Sequence, residues 1–179
     1  MLGFFISFGA FFLIVGIGAA FGAPYVPSQR KYLKKAFEEL YPLNASDVLV
    51  DIGAGDGIVL REAAKKGARA IGYEINPLLF GVASLLGRKY DGVELRLANF
   101  WTAHLPEETT VVYAFSVNRD AGRLIAKLQA QADLVGRPVA LVCLGSPLKD
   151  RIADAELDAY KLYEFTPGSN AMNGESDRV

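Results

Sequence analysis

Asp51, Gly53, Gly55, Asp56 and Gly57 lie together in "VLVDIGAGDGIVL", residues 48–60, and Glu74 closes the next apolar run, "AIGYE". An apolar run that stops at an acid and then passes through three glycines brings backbone close to a ligand, because glycine has no Cβ to hold the two apart. The spacing is Gly53-x-Gly55-x-Gly57. Dinucleotide sites instead use G-x-G-x-x-G, with a pyrophosphate on the helix N-terminus. Here Asp51 and Asp56 would repel a pyrophosphate, while Glu74 can accept hydrogen bonds from both hydroxyls of a ribose. The set suits a ligand that carries an ammonium group and a ribose; the plain alternative is a tight strand-to-helix turn with no ligand.

Such residues need elements to hold them, and the chain supplies alternating ones. "SQRKYLKKAFEELY" has apolar residues at helical spacing, with Ser28 as a cap, and is predicted as an amphipathic helix docked on its own domain. "VLVDIG", "RAIGYEI", "VELRLAN", "TTVVYAFS" and "RPVALVCLG" read as strands, with "GIVLREAAKKG", "NPLLFGVASLLGRKY" and "RDAGRLIAKLQAQADL" as helices between them. "DAYKLYEF" alternates as an edge strand does, and residues 167–179 read as a solvated tail. Alternation of this kind predicts an α/β fold, a parallel sheet with helices on both faces. Ligands of such sheets bind beyond the carboxyl ends of the strands, where Asp51 and Glu74 fall. S-adenosylmethionine carries the ammonium and the ribose that these two acids suit.

D-I-G-A-G-D-G resembles the first motif of class I S-adenosylmethionine-dependent methyltransferases, and Glu74 resembles their ribose-binding acid. "PYVPS", "VDIGAGDGIVL", "GYEINPLL" and "NFW", in that order after an apolar N-terminus, are similar to the protein-lysine methyltransferase family that modifies the ATP synthase c-subunit and the adenine nucleotide translocase. The resemblance runs from about Pro24 to Phe165. It implies a Rossmann-like fold and S-adenosylmethionine as cofactor. Asp51, Gly53, Gly55 and Gly57 would shape the methionine end, and Glu74 would hold the ribose. Asn99 and Phe100 would flank adenine. Tyr25 would close the pocket or simply pack. Trp101 fits the core as well as it fits an aromatic wall, and Asn99 and Trp101 are the candidate catalytic residues. Tyr113, Phe115 and Ser116 are candidates for the acceptor side. Two positions depart from the family: Ile58 stands where it usually has Arg, and Asn99 where it usually has Asp. "YAFSVN" after the fourth strand also lacks the D/N-P-P-Y/F/W motif of many DNA and glutamine methylases.

Composition narrows the partners. The formal charge of −1 over 179 residues gives no bulk attraction to nucleic acid. One cysteine, Cys143, and one histidine, His104, make a zinc site improbable, and no metal is expected. Residues 1–23 carry no charged side chain. About 22 such residues as a helix would rise ~33 Å, enough to cross a hydrocarbon core. No Lys or Arg precedes the run, and Pro24 follows Phe21-Gly22-Ala23, so an uncleaved anchor is favoured over a signal peptide. Arg30, Lys31, Lys34 and Lys35 follow it, which places the remainder in the cytoplasm. The expected organisation is a transmembrane anchor over 1–23, a methyltransferase domain over 24–166 and a tail over 167–179. The expected activity is methylation of a lysine in a membrane-associated protein. A lipid or quinone methyltransferase and a non-catalytic cofactor-binding membrane protein are the alternatives. The oligomeric state is not legible.

Overall fold

The computed structural model describes residues 30–115, 118–149 and 151–168. The expected anchor, Tyr25, Ser28, Ser116 and residues 169–179 of the expected tail lie outside the described residues. The chain order is α1 (Arg30–Lys35), β1 (Val48–Asp51), α2 (Ile58–Ala64), β2 (Arg69–Glu74), α3 (Pro77–Gly87), β3 (Val93–Leu97), β4 (Val111–Phe115), α4 (Ala121–Val135), β5 (Val139–Leu144), β6 (Ala155–Leu157) and β7 (Tyr160–Phe165). α1 continues into a π-helical segment, Ala36–Leu40. Among the described residues, no helix is long and apolar enough to cross a membrane.

The strands form one sheet in the order β3-β2-β1-β4-β5-β7-β6. β1 to β5 are parallel, whereas β7 is antiparallel to both β5 and β6. The expected all-parallel sheet is therefore mixed, and "DAYKLYEF" is not at the edge. β6, three residues long, takes the edge, and Asp158, at φ 54°, turns the chain back into β7. So short a strand leaves no readable alternation in the sequence.

Each inner strand buries both faces, which is why β1, β4 and β5 read as unbroken apolar runs. Leu49, Ala70, Val111 and Val142 pack with Leu33, Phe37, Leu60 and Ala63 of the N-terminal helices. Val50, Ile71, Val112 and Leu141 pack on the other side with Leu124, Leu128 and Ala132 of α4 and with Phe100 and Leu105 of the loop after β3. Cys143 is a fully buried member of this second core. α2 lies close against β2, because Gly72 leaves room for it: a Cβ there would stand 2.6 Å from Leu60 Cδ1 and 2.7 Å from Ala54 Cβ.

Candidate functional site

Strand register gathers the site. Asp51 lies opposite Gly72 of β2 and Tyr113 of β4, so the carboxyl ends of three strands meet beside it. The strand order changes direction here, between β1 and β4, and the crevice of an open α/β sheet forms at such a point. Ala54 N–H donates to Tyr73 O at 3.0 Å and Ile52 N–H to Tyr113 O at 3.2 Å, carrying both neighbouring ladders into the glycine turn. Gly55 and Gly57 hold φ of 55° and 75°, a left-handed backbone that residues with a Cβ rarely adopt. Gly53 differs, because a Cβ there would meet nothing within 4 Å among the described residues.

Three carboxylates surround this turn. Asp51 is buried and accepts a weak bond from Gly53 N–H at 3.5 Å. Its carboxyl is pushed up from 3.8 to about 7, chiefly by burial, with the charges of Glu74 and Asp56 adding to the effect and the Gly53 N–H opposing it. A buried acid held this way gains most from a cation placed against it. Glu74 is also buried; its Oε2 accepts Gly55 N–H at 2.8 Å and its Oε1 accepts Asn76 N–H at 2.7 Å. It thereby ties the glycine turn to the start of α3 and keeps one lone pair on each oxygen for another donor. Asp56 accepts Ile58 N–H at 3.1 Å and pairs with Arg61 at 3.3 Å.

Arg61 was not singled out by the sequence. It is buried on α2, and its guanidinium also donates to Asp56 O. Long helical side chains lean towards the N-terminus of their helix, so an arginine just after the turn reaches back to it. That lean is the signal that could have identified it. It supplies a guanidinium beside Asp56 although position 58 is Ile. Asn76 caps α3, its Oδ1 accepting the N–H groups of Leu78 and Leu79, while its buried Nδ2 has no hydrogen-bond partner among the described residues. Ile75, next to Glu74, is exposed and puts an apolar side chain at the end of β2.

Beyond β3, Asn99 is exposed and its Oδ1 accepts Trp101 N–H at 2.9 Å, so the amide oxygen already braces its own turn. Phe100 is buried, edge-on to Tyr73 at 5.9 Å and to Trp101 at 5.3 Å. The ring expected to flank adenine is thus part of the core. Trp101 is half-buried, with the Arg123 guanidinium 4.9 Å from its ring centre. His104 is an exposed loop residue whose carbonyl accepts the Tyr73 hydroxyl. Tyr113 is buried and Phe115 is 40% exposed at the end of β4. Among the described residues, no group of three or more His, Cys, Asp or Glu is placed to hold a metal ion.

Known proteins share this fold. An RNA methyltransferase from Salinibacter ruber, solved in complex with S-adenosyl-L-homocysteine, superposes with a TM-score of 0.68 and 27% identity over 80% of this chain and 95% of its own. Lysine N-methyltransferases of the ATP synthase c-subunit, from Xenopus laevis and human, are 31% and 30% identical over 65% of this chain. The chain is a homologue of the class I S-adenosylmethionine-dependent methyltransferases. A ribosomal RNA small subunit methyltransferase A from Thermotoga neapolitana is 45% identical to this homologue, but over only 71 residues, 39% of the chain. The matches cover 52% of the Xenopus protein, 50% of the human one and 27% of the Thermotoga one, so the chain spans about half the length of its lysine-methylating relatives. No family model matches it.

Proposed function

We propose that this chain is an S-adenosylmethionine-dependent methyltransferase that modifies lysine in a membrane-associated protein, tethered by residues 1–23 with its site on the cytoplasmic side. The observation that carries the reading is the buried pair Asp51 and Glu74 on either side of a left-handed glycine turn at the sheet's switch point. These residues fit the cofactor. Asp51 is a buried acid with no ion-pair partner among the described residues, and Glu74 has lone pairs left for two ribose hydroxyls. Gly53 opens onto space that a ligand can fill, and Ile75 offers an apolar surface beside Glu74.

When bound, S-adenosylmethionine supplies a methyl group on a sulfonium, open to in-line displacement. The chain's residues then have two tasks. Asp51 and Glu74 would hold the cofactor, orienting it for an acceptor's lone pair. The acceptor side must favour the neutral amine of a lysine, because an ammonium has no lone pair to give. Phe115 stands two residues beyond the strand partner of Asp51, and its exposed ring would desolvate an ammonium and lower its pKa.

Among the curated sequence relatives, protein lysine is favoured over RNA by the length of the match, whereas the Salinibacter RNA methyltransferase is alike in fold over 80% of this chain. The lysine methyltransferases match over 120 residues or more, and the Thermotoga RNA enzyme over 71. The tether is supported by the uncharged N-terminus and the four basic residues that follow it. Incubating the full chain with methyl-labelled cofactor and membrane fractions tests the reading. Label is expected in protein, on lysine. Label in extractable lipid or in RNA would replace the substrate, and binding without transfer would make the chain a non-catalytic cofactor-binding protein.

A further inference from the structure

α3 is an unusual surface helix. Its sequence, "PLLFGVASLLG", has no charged side chain, and it buries only Leu79, Ala83 and Gly87. Leu78, Val82, Leu85 and Leu86 lie on one side of it with 44%, 41%, 59% and 41% of their surfaces exposed. Surface helices normally turn charged residues outwards. This strip instead shows on the order of 300 Å² of apolar surface, a size that marks contact sites on single proteins. Arg88 and Lys89, both exposed, follow it directly.

The described chain begins on the same side of the sheet. Arg30 pairs with Glu62 of α2 at 2.9 Å. The start of α2 touches α3, since a Cβ on Gly57 would lie 3.2 Å from Ala83 Cβ. The first described residues therefore lie on the face that carries the apolar strip. Basic residues outnumber acidic ones on α1, α2, α3 and their ends, although the chain as a whole is slightly acidic. The N-terminal stretch is not itself a sufficient cover for the strip. It is apolar on every side, and the strip is about 12 Å long, so docking there would leave most of that stretch in water. A bilayer accommodates both.

We propose that α3 is a second membrane contact. Its strip of Leu78, Val82, Leu85 and Leu86 lies in the interfacial layer of an anionic bilayer, with Arg88 and Lys89 among the headgroups. The inference rests on residues 1–23 being a membrane anchor. Its consequence is a fixed orientation: the face of the sheet covered by α2 and α3 lies flat on the membrane, and the cleft beyond β1 and β2 opens along the surface instead of away from it. An apolar face flanked by basic residues is the composition that interfacial helices use, and juxtamembrane basic residues favour anionic lipid.

The test uses the full chain reconstituted into vesicles of phosphatidylcholine and phosphatidylglycerol at a ratio of about 3:1. Leu85→Cys and, on the opposite face, Leu134→Cys each receive an environment-sensitive fluorophore; Cys143 is fully buried and escapes labelling. The label at position 85 should shift to the blue and be quenched by a lipid spin-labelled near its headgroup, and the label at 134 should do neither. Arg88→Glu with Lys89→Glu should reduce quenching at 85 and leave flotation with vesicles unchanged. Flotation without quenching at 85 overturns the proposal and leaves the anchor standing. A blue shift without quenching overturns it too, since the strip would then be covered by the chain's own N-terminus or by a second copy. Equal quenching at both positions overturns the orientation, and failure to float overturns the anchor and the proposal with it.

Discussion

Glu74 carries a structural load that changes how its mutants should be read. One lone pair on each oxygen already takes a backbone N–H, from Gly55 and from Asn76. In Glu74→Gln the amide NH2 must face one of those N–H groups, donor against donor. Cofactor affinity should fall by about 1.5–3 kcal/mol, the range for a hydrogen bond to a charged group, and the melting temperature should fall with it. Calorimetry showing unchanged affinity would remove Glu74 from the ribose position. Asp51 makes a separate prediction. Its carboxyl moves from 3.8 to about 7 on folding, so between these values the folded chain holds a proton that the unfolded chain lacks. The contribution to stability is full below the lower value and is lost as pH rises through the upper one. Asp51→Asn should therefore stabilise the cofactor-free protein at pH 8, by on the order of 2–4 kcal/mol. A cofactor ammonium favours the carboxylate, so binding at pH 6 should release close to one proton, shrinking by pH 7.5 and absent in Asp51→Asn. Calorimetry in buffers of different ionisation enthalpy reads this directly, and no proton release at pH 6 would separate Asp51 from the ammonium. Asp51 and Glu74 were legible in the sequence because each acid ends an apolar run. Arg61 and Ile75 were not, because a buried arginine and an exposed isoleucine reverse the usual partition and only packing reveals them.

At the scale of elements, the glycines divide into those that shape the fold and those that leave room. Gly72→Ala would drive a Cβ into Ala54 and Leu60, both buried, and Ala54 belongs to the glycine turn. Overpacking of this kind costs about 1–3 kcal/mol, so the urea midpoint should fall, and affinity for the cofactor should fall as well because the turn is pushed. Gly53→Val meets open space and needs no left-handed backbone. It should leave the urea midpoint nearly unchanged and weaken cofactor binding at least tenfold, about 1.4 kcal/mol. Normal binding by a folded Gly53→Val protein would move the site away from this turn. The sequence was readable where burial on both faces produced long apolar runs, as in β1, β4 and β5. It was unreadable at β6, where three residues carry no period, and at Ala36–Leu40, where the helix widens to π geometry without a sequence marker. The helical pattern of α3 was plain. Its exposed leucines were not, because apolar residues in a buried helix and in an uncovered one look alike in one dimension.

For the whole molecule, the question is what the N-terminal stretch does for catalysis. Six residues, 24–29, separate it from α1, and at full extension they span about 20 Å. A domain of this size is itself only some tens of ångströms across. On the proposed anchoring the site would be held in a thin shell above the bilayer, and an acceptor in the same membrane would meet it at an effective concentration near the millimolar range. Nothing in that argument alters the chemistry at Asp51 and Glu74. The full chain and a chain lacking residues 1–23 should therefore have equal kcat/KM on a soluble lysine peptide. On the same peptide fixed in vesicles that also hold the enzyme, the full chain should be faster by roughly 10²-fold, the low end of the gain from linking two binding events. Equal rates on the vesicle-bound peptide would show that the stretch contributes no tether. A loss on both substrates, with cofactor affinity reduced, would show instead that residues 1–23 support the cofactor pocket itself.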